Sequence, residues 1–501
     1  MLFGSRLLIT IAVLWASQVV AQETHDHPTP EKLGRISFPV SCKPAVQEEF
    51  NRAVALLHSF AYNAAREAFQ NVAERDPQCA MAHWGIAMTY YHQLWEPPMP
   101  GDAAPRGRQE IEQAQRIGAA TGRERGFIRA AGVVYQDAGT VPYATRALNY
   151  EQAMAELASQ NKDVEVQVFY ALALLANAPP TDKNHVRQKK AAEILEPLYA
   201  KYPDHPGIPH YLIHAYDNAE LAQRGLPYAR AYSKIAPSAP HALHMPSHIF
   251  TRLGLWDDSI ASNIASSEAA RKAGDTGEQL HAMDYLVYAY LQSGRDTDAA
   301  NVIAQLKAMP GLNVGSFKVG YAATAMPIRY VVERGQWAEA AQITPPPASA
   351  PPHVIAIAVW ARGLGSARSG HPVDATGAIQ ELQRLQDSIR ESGNEYWATQ
   401  VGIMKREVMA WSAQAQGKQQ DAAALLAEAA DEEDSIEKLP VTPGPIIPAR
   451  EQLGDLLLEQ NHPEQAAKEF QSALVSAPGR RGSLQGASEA ADRPRAAAKA
   501  K

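Results

Sequence analysis

The 501-residue sequence predicts an all-α protein, an α-solenoid in which pairs of antiparallel helices stack into a superhelix. Two observations lead there. Ala-rich amphipathic stretches dominate a chain that is 46% hydrophobic but only 7% aromatic, a balance that favours helices over strands. One turn also recurs: a Gly followed five residues later by a small residue, at Gly254/Ser259, Gly294/Ala299, Gly335/Ala340, Gly370/Ala375 and Gly417/Ala422, with Asn461/Ala466 as a variant. Gly and Asn tolerate the positive φ that ends a helix, and the small residue lets the next helix pack closely.

The last of these repeats carries the most signal. Leu453, Gly454, Leu457, Ala466, Phe470, Ala473 and Pro478 stand at the spacing of a tetratricopeptide motif of about 34 residues. Near the N-terminus Ala53, Leu56, Ala65, Phe69 and Pro77 repeat much of that pattern. On these residues the chain resembles the tetratricopeptide repeat (TPR) family over residues 46–478. The stretches Cys79–Met88 and His244-Met-Pro-Ser-His248 are similar to exported bacterial members of it. The resemblance implies an architecture and leaves the function open.

At the N-terminus, a positive charge within Met1–Arg6 precedes the mostly apolar Leu7–Val20, and Val19-Val20-Ala21 reads as a small-residue cleavage site. Residues 1–21 therefore read as a secretory signal peptide, with the mature chain starting at Gln22 in the periplasm or outside the cell. No other stretch reaches about 18 apolar residues, so no membrane span is expected in the mature chain. Residues 22–45 read as a flexible N-terminal segment. In an oxidising compartment the isolated pair Cys42 and Cys79 commonly forms one disulfide; two free buried thiols are the alternative. A first array is expected over residues 46–343, interrupted by the helix-breaking Trp95-Glu-Pro-Pro-Met-Pro100 and by residues 104–160, whose helices match the repeat poorly. Residues 344–352 form a stiff Pro-rich linker expected to divide it from a second array over residues 353–479. Residues 480–501, polar, Ala-rich and basic, are expected to be disordered.

The sixteen histidines are unevenly spread. With repeat starts at 206, 240 and 280, position 5 holds His210, His244 and Asp284, and position 9 holds His214, His248 and Tyr288. Position 2 adds His241 and His281, and position 12 adds Asp217. The family resemblance implies that these positions line the concave groove. His210/His214 and His244/His248 each lie four residues apart on one helix face, which makes each a chelating pair. Adjacent helices about 8–10 Å apart allow both pairs to converge on one ion. Asp217 and Asp284 are candidate carboxylate ligands or acceptors for an imidazole N–H. Zn, Cu or Fe would suit such a donor set, as would Ni, and polar ligand contacts or plain packing are the competing explanations. His58 and His92 recur at position 13 without a second histidine four residues on, a spacing more in keeping with packing. His25 and His27 fall in the flexible N-terminal segment.

A net charge of −7 without a basic stripe argues against nucleic-acid binding. The chain also lacks a phosphate-binding Gly-rich loop, a nucleophile elbow, an HExxH motif and a paired-CxxC framework. Two readings remain: a metal-dependent protein, with or without catalysis, and a non-catalytic scaffold holding a peptide or partner protein in its groove. The stacked His and acids tilt the balance to the first, because a general peptide groove uses Asn, Lys and Arg to grip a backbone.

Overall fold

The repeated turn behaves as its chemistry requires. In the computed structural model, which describes residues 31–94, 99 and 101–499, all five turn glycines take positive φ and Asn461 joins them at +62°. After five of the six turns the next helix starts two residues later, at Trp256, Asp296, Trp337, Gln419 and Pro463. The small residues Ser259, Ala299, Ala340, Ala375, Ala422 and Ala466 are all completely buried. The tight contact they permit is visible at Gly454 in helix Ala449–Glu459, where a Cβ would lie 2.7 Å from the Phe470 ring of helix Pro463–Ser476.

Helices therefore pack in consecutive pairs, from Gln47–His58 with Tyr62–Arg75 at one end to Ala449–Glu459 with Pro463–Ser476 near the other. The described residues contain no strand. Three pairs position the site. Gly207–Tyr216 packs on Ala222–Ile235, and Thr276–Gln292 on Asp296–Ala308. Between them runs a first helix broken into Pro240–His244 and Pro246–Arg252, packed on Trp256–Ala273. Pro246 has no N–H for the ladder, which accounts for the break. No helix among the described residues is long and apolar enough to cross a membrane.

Four sequence expectations change. Residues 31–45 are not a loose lead-in: Arg35 N donates to Asp204 O, and Phe38 is fully buried against Phe50, Trp84 and Phe127. A Cys42–Cys79 disulfide then ties this segment to the start of helix Ala80–Met88. The Pro-rich stretch 344–352 does not divide the chain, because Tyr321 and Ile328 before it share a core with Ile357 and Leu364 after it. Residues 481–499 are helical rather than disordered, anchored by the buried Arg480 between Glu333 and Glu451. The signal peptide, His25, His27 and most of the Trp95–Pro100 break lie outside the described residues.

The fourth change bears on function. The face that carries Asp217, Tyr285 and Arg329 is covered rather than open. Residues 435–448 run across it, held by Lys438 Nζ on Asp217 (2.9 Å), by the Tyr285 hydroxyl at the Pro440 and Thr442 carbonyls (3.0 and 2.9 Å), and by Arg329 on the Pro445 carbonyl (3.0 Å). Phe60, at a left-handed φ of +53° that is costly for a bulky residue, turns its ring onto His210.

Candidate metal centres

Histidines expected along an open groove are buried, with exposures between 0% and 9% for His210, His214, His241, His244, His248 and His281. They form two clusters of three. His210 and His214, one turn apart on Gly207–Tyr216, meet His241 from the next repeat. His244 and His248, on the broken helix, meet His281 from the repeat after that. The two chelating pairs thus do not converge on a single point. Each is completed instead by the position-2 histidine of the following repeat. The clusters are neighbours, with 6.0 Å between the His214 and His248 ring centres and 6.1 Å between those of His241 and His244.

The outward-facing nitrogens settle where the protons lie. His210 Nδ1 is 2.6 Å from the His58 carbonyl oxygen, which can only accept, so this nitrogen carries the proton. His241 Nδ1 is 2.9 Å from Glu278 Oε1 and donates to that carboxylate. In the second cluster His248 Nδ1 donates to Asp217 Oδ2 at 2.8 Å. His244 Nδ1 donates to Asn263 Oδ1 at 2.7 Å, the amide being oriented by its own Nδ2 donating to Ser259 O.

Each of these rings therefore directs an Nε2 lone pair inward. His210 Nε2, with one lone pair, lies 3.1 Å from His214 Nε2 and 3.2 Å from His241 Nε2. A proton can occupy only one of those two gaps. His244 Nε2 and His248 Nε2 face one another at 3.0 Å with both protons already committed elsewhere. Extra protons do not relieve the conflict. Burial pushes His210, His214, His244 and His281 well below the ordinary imidazole value. It takes His248 to about 4, against the opposing pull of Asp217. The two acids are ionised. For Asp217 the cost of burial is outweighed by Lys438, Arg252 and His248, and for Glu278 by Lys318 and His241.

A third cluster makes an instructive contrast. Glu165 lies between His58 Nε2 (2.9 Å) and His205 Nε2 (3.0 Å), while the Tyr211 hydroxyl meets His58 Nδ1 at 2.9 Å and Gly207 N donates to His205 Nδ1 at 3.1 Å. Every ring nitrogen there has a complementary partner, so ordinary hydrogen bonding satisfies the group. His58 thus belongs to a structural network, and it serves the first cluster only through its carbonyl.

The other sequence candidates fall around the clusters. Asp217 stands behind His248 as an acceptor, also bonded to Arg252 and Lys438. Asp284 faces Arg329 at 3.6 Å, outside both clusters, with its carboxyl pushed up by burial to about 6. His92 stacks on Tyr62 with ring centres 4.0 Å apart. Tyr288 packs under Arg329 and lines a cavity of about 160 Å³ with Tyr321, Tyr396 and Trp397. That cavity reaches Arg252 and Lys438, the two cations on Asp217.

Sequence reasoning missed Glu278, Asn263, Phe60 and Tyr285. Glu278 precedes His281 by one helical turn and was open to discovery by that spacing. Phe60 packs against all three rings of the first cluster (4.5, 5.9 and 5.4 Å to His210, His214 and His241). Tyr285 does the same for the second (4.8, 5.0 and 5.3 Å to His244, His248 and His281).

Among solved structures, that of the APC/C hetero-tetramer Cut9-Hcn1 is similar over 92% of this chain and 78% of that one, at 11% identity and a TM-score of 0.36. The P58(IPK) TPR domain matches over 90% and 99% respectively, at 11% identity and a TM-score of 0.24. A monomeric IFIT1 mutant with Gppp-AAAA matches over 83% and 90%, at 11% identity and 0.37. At these TM-scores the likeness carries no argument, and the helix-pair fold rests on the packing described above. No family model and no curated protein sequence matches the chain.

Proposed function

We propose that the two three-histidine clusters are transition-metal centres and that the chain is an exported metal-binding helix-pair protein. One observation carries this reading: inward Nε2 lone pairs face each other at 3.0–3.2 Å with too few protons to satisfy them. A cation resolves that conflict. An ion about 2.0–2.1 Å from each nitrogen separates its ligands by roughly 3.3 Å, close to the spacing here. The outer hydrogen bonds to a backbone carbonyl, a carboxylate or an amide oxygen are the kind that orient metal-bound imidazoles and fix their tautomer. The Cys42–Cys79 disulfide supports export to an oxidising compartment.

The alternative, a scaffold gripping a peptide along these helices, gains less support, since residues 435–448 already cover the face that carries Asp217 and Tyr285. Metal analysis of untagged protein from its native compartment tests the proposal. Bound transition metal is expected, with His214→Ala emptying one cluster and His248→Ala the other. Protein that holds no metal, and whose titration with Zn, Cu or Fe neither substitution alters, refutes it.

A further inference from the structure

Charges around the two clusters are few. Glu278 pairs with His241 and Lys318, and Asp217 with His248, Arg252 and Lys438. Glu437 adds a third carboxylate, near Arg252 at 3.7 Å and paired with the half-exposed Lys183. Asp284 and Arg329 offset one another. The charges that bear most directly on the rings, Asp217 and Glu278 against Lys438 and Lys318, balance, and burial lowers the Lys438 amine to about 8, so this shell carries no surplus negative charge for a metal to neutralise. Neither cluster contains an anionic ligand.

Such surroundings discriminate by charge. Repulsion grows with the product of the charges, so two divalent ions in neighbouring buried sites repel roughly four times as strongly as two monovalent ions. They would do so here with no carboxylate in direct contact to compensate. Coordination number points the same way. A zinc ion on three protein ligands takes a fourth, usually water. Yet each cluster has one aromatic ring, Phe60 or Tyr285, packed against all three imidazoles. Three neutral nitrogens, an aromatic ring packed against all of them and a shell without surplus negative charge favour a monovalent, three-coordinate ion. Among the metals that imidazole suits, copper supplies one.

We infer that the clusters form a paired copper(I) site, one ion on His210, His214 and His241 and the other on His244, His248 and His281. The inference rests on the metal-centre reading above and deepens it. Full-length, chelator-stripped protein is titrated without oxygen against Cu(I) held by a chromogenic chelator, and separately against Zn(II). Two equivalents of Cu(I) are expected, falling to one in His210→Ala and one in His248→Ala, against no more than one of Zn(II). X-ray absorption on the unaltered protein, which does not depend on the variants folding, should report copper(I) with three nitrogen neighbours. Two equivalents of Zn(II) taken up as readily as Cu(I), or a fourth ligand on copper, overturn the copper inference and leave the metal-centre reading standing. A single Cu(I) abolished by either substitution overturns the pairing. Protein that takes up no metal at all sinks both.

Discussion

Stripping the protein of metal and acidifying it should destabilise the fold, and His248 gives a measure of how much. Burial, against the pull of Asp217, takes its pKa from 6.5 to about 4, so the folded state keeps the imidazole neutral where the unfolded chain would protonate it. Below pH 6.5 the unfolded state binds more protons, and stability falls with pH until about 4, where the loss levels off. From pH 7.5 to 5.5 His248 alone costs on the order of 1 kcal/mol, and below pH 4 on the order of 3 kcal/mol. His210, His214, His244 and His281 shift the same way, again first through burial, so each adds to the loss in the same window. Asp217 and Glu278, held well below the usual carboxylate range, contribute stability that disappears only at still lower pH. Urea unfolding followed by circular dichroism, with chelator present at pH 7.5 and 5.5, measures the difference. The expected drop exceeds the share of His248 alone. An unfolding midpoint that is unchanged or higher at pH 5.5 would refute the assignment of these rings as buried and neutral.

Asp217→Asn should weaken metal binding about 10–100-fold at the second cluster and spare the first, and Glu278→Gln the reverse; chelator competition measures both, and equal weakening at the two sites would contradict the outer hydrogen-bond assignments. Cys79→Ser opens a bridge spanning 37 residues and should cost about 4 kcal/mol in urea unfolding, whereas alkylation of the denatured, unreduced native protein should modify neither cysteine. Gly454→Ala sets a methyl 2.7 Å from the Phe470 ring and should lower stability by about 1–3 kcal/mol, seen as a reduced Tm; an unchanged Tm would mean that the two helices separate freely.

Helix pairing was legible because it depends on short spacings. Gly254 and Ser259 lie on one turn, and a sequence window that reads the turn reads the packing too. The chelating pairs His210/His214 and His244/His248 were legible for the same reason, since four residues make one helical turn. Their partition into two clusters was not. It depends on which repeat supplies the third ring, and hence on the rotation between neighbouring pairs, which no local pattern encodes. The covered face was still less accessible: Lys438 reaches Asp217 across 221 residues, and its segment has no periodicity to mark it. Arg480 misled in the other direction. A basic, Ala-rich terminus has the composition of a disordered tail, but two buried carboxylates, Glu333 and Glu451, neutralise the charge that would have kept it in solvent.

Long-range ties also bear on how the array comes apart. In an open solenoid each repeat touches only its neighbours, so the ends fray and unfolding proceeds unit by unit. Here Lys183 meets Glu437 across 254 residues, Trp256 Nε1 donates to the Gly479 carbonyl across 223, and Lys32 N donates to Ser238 Oγ across 206. The last helix, through Arg481 on Gln292 and Asp296, is likewise bound to the middle of the chain, as is the first described segment. Neither end of the array from Lys32 to the last helix can peel away without breaking contacts in the central repeats. This array should melt as one cooperative body, and amide exchange should protect its two ends nearly as well as its centre.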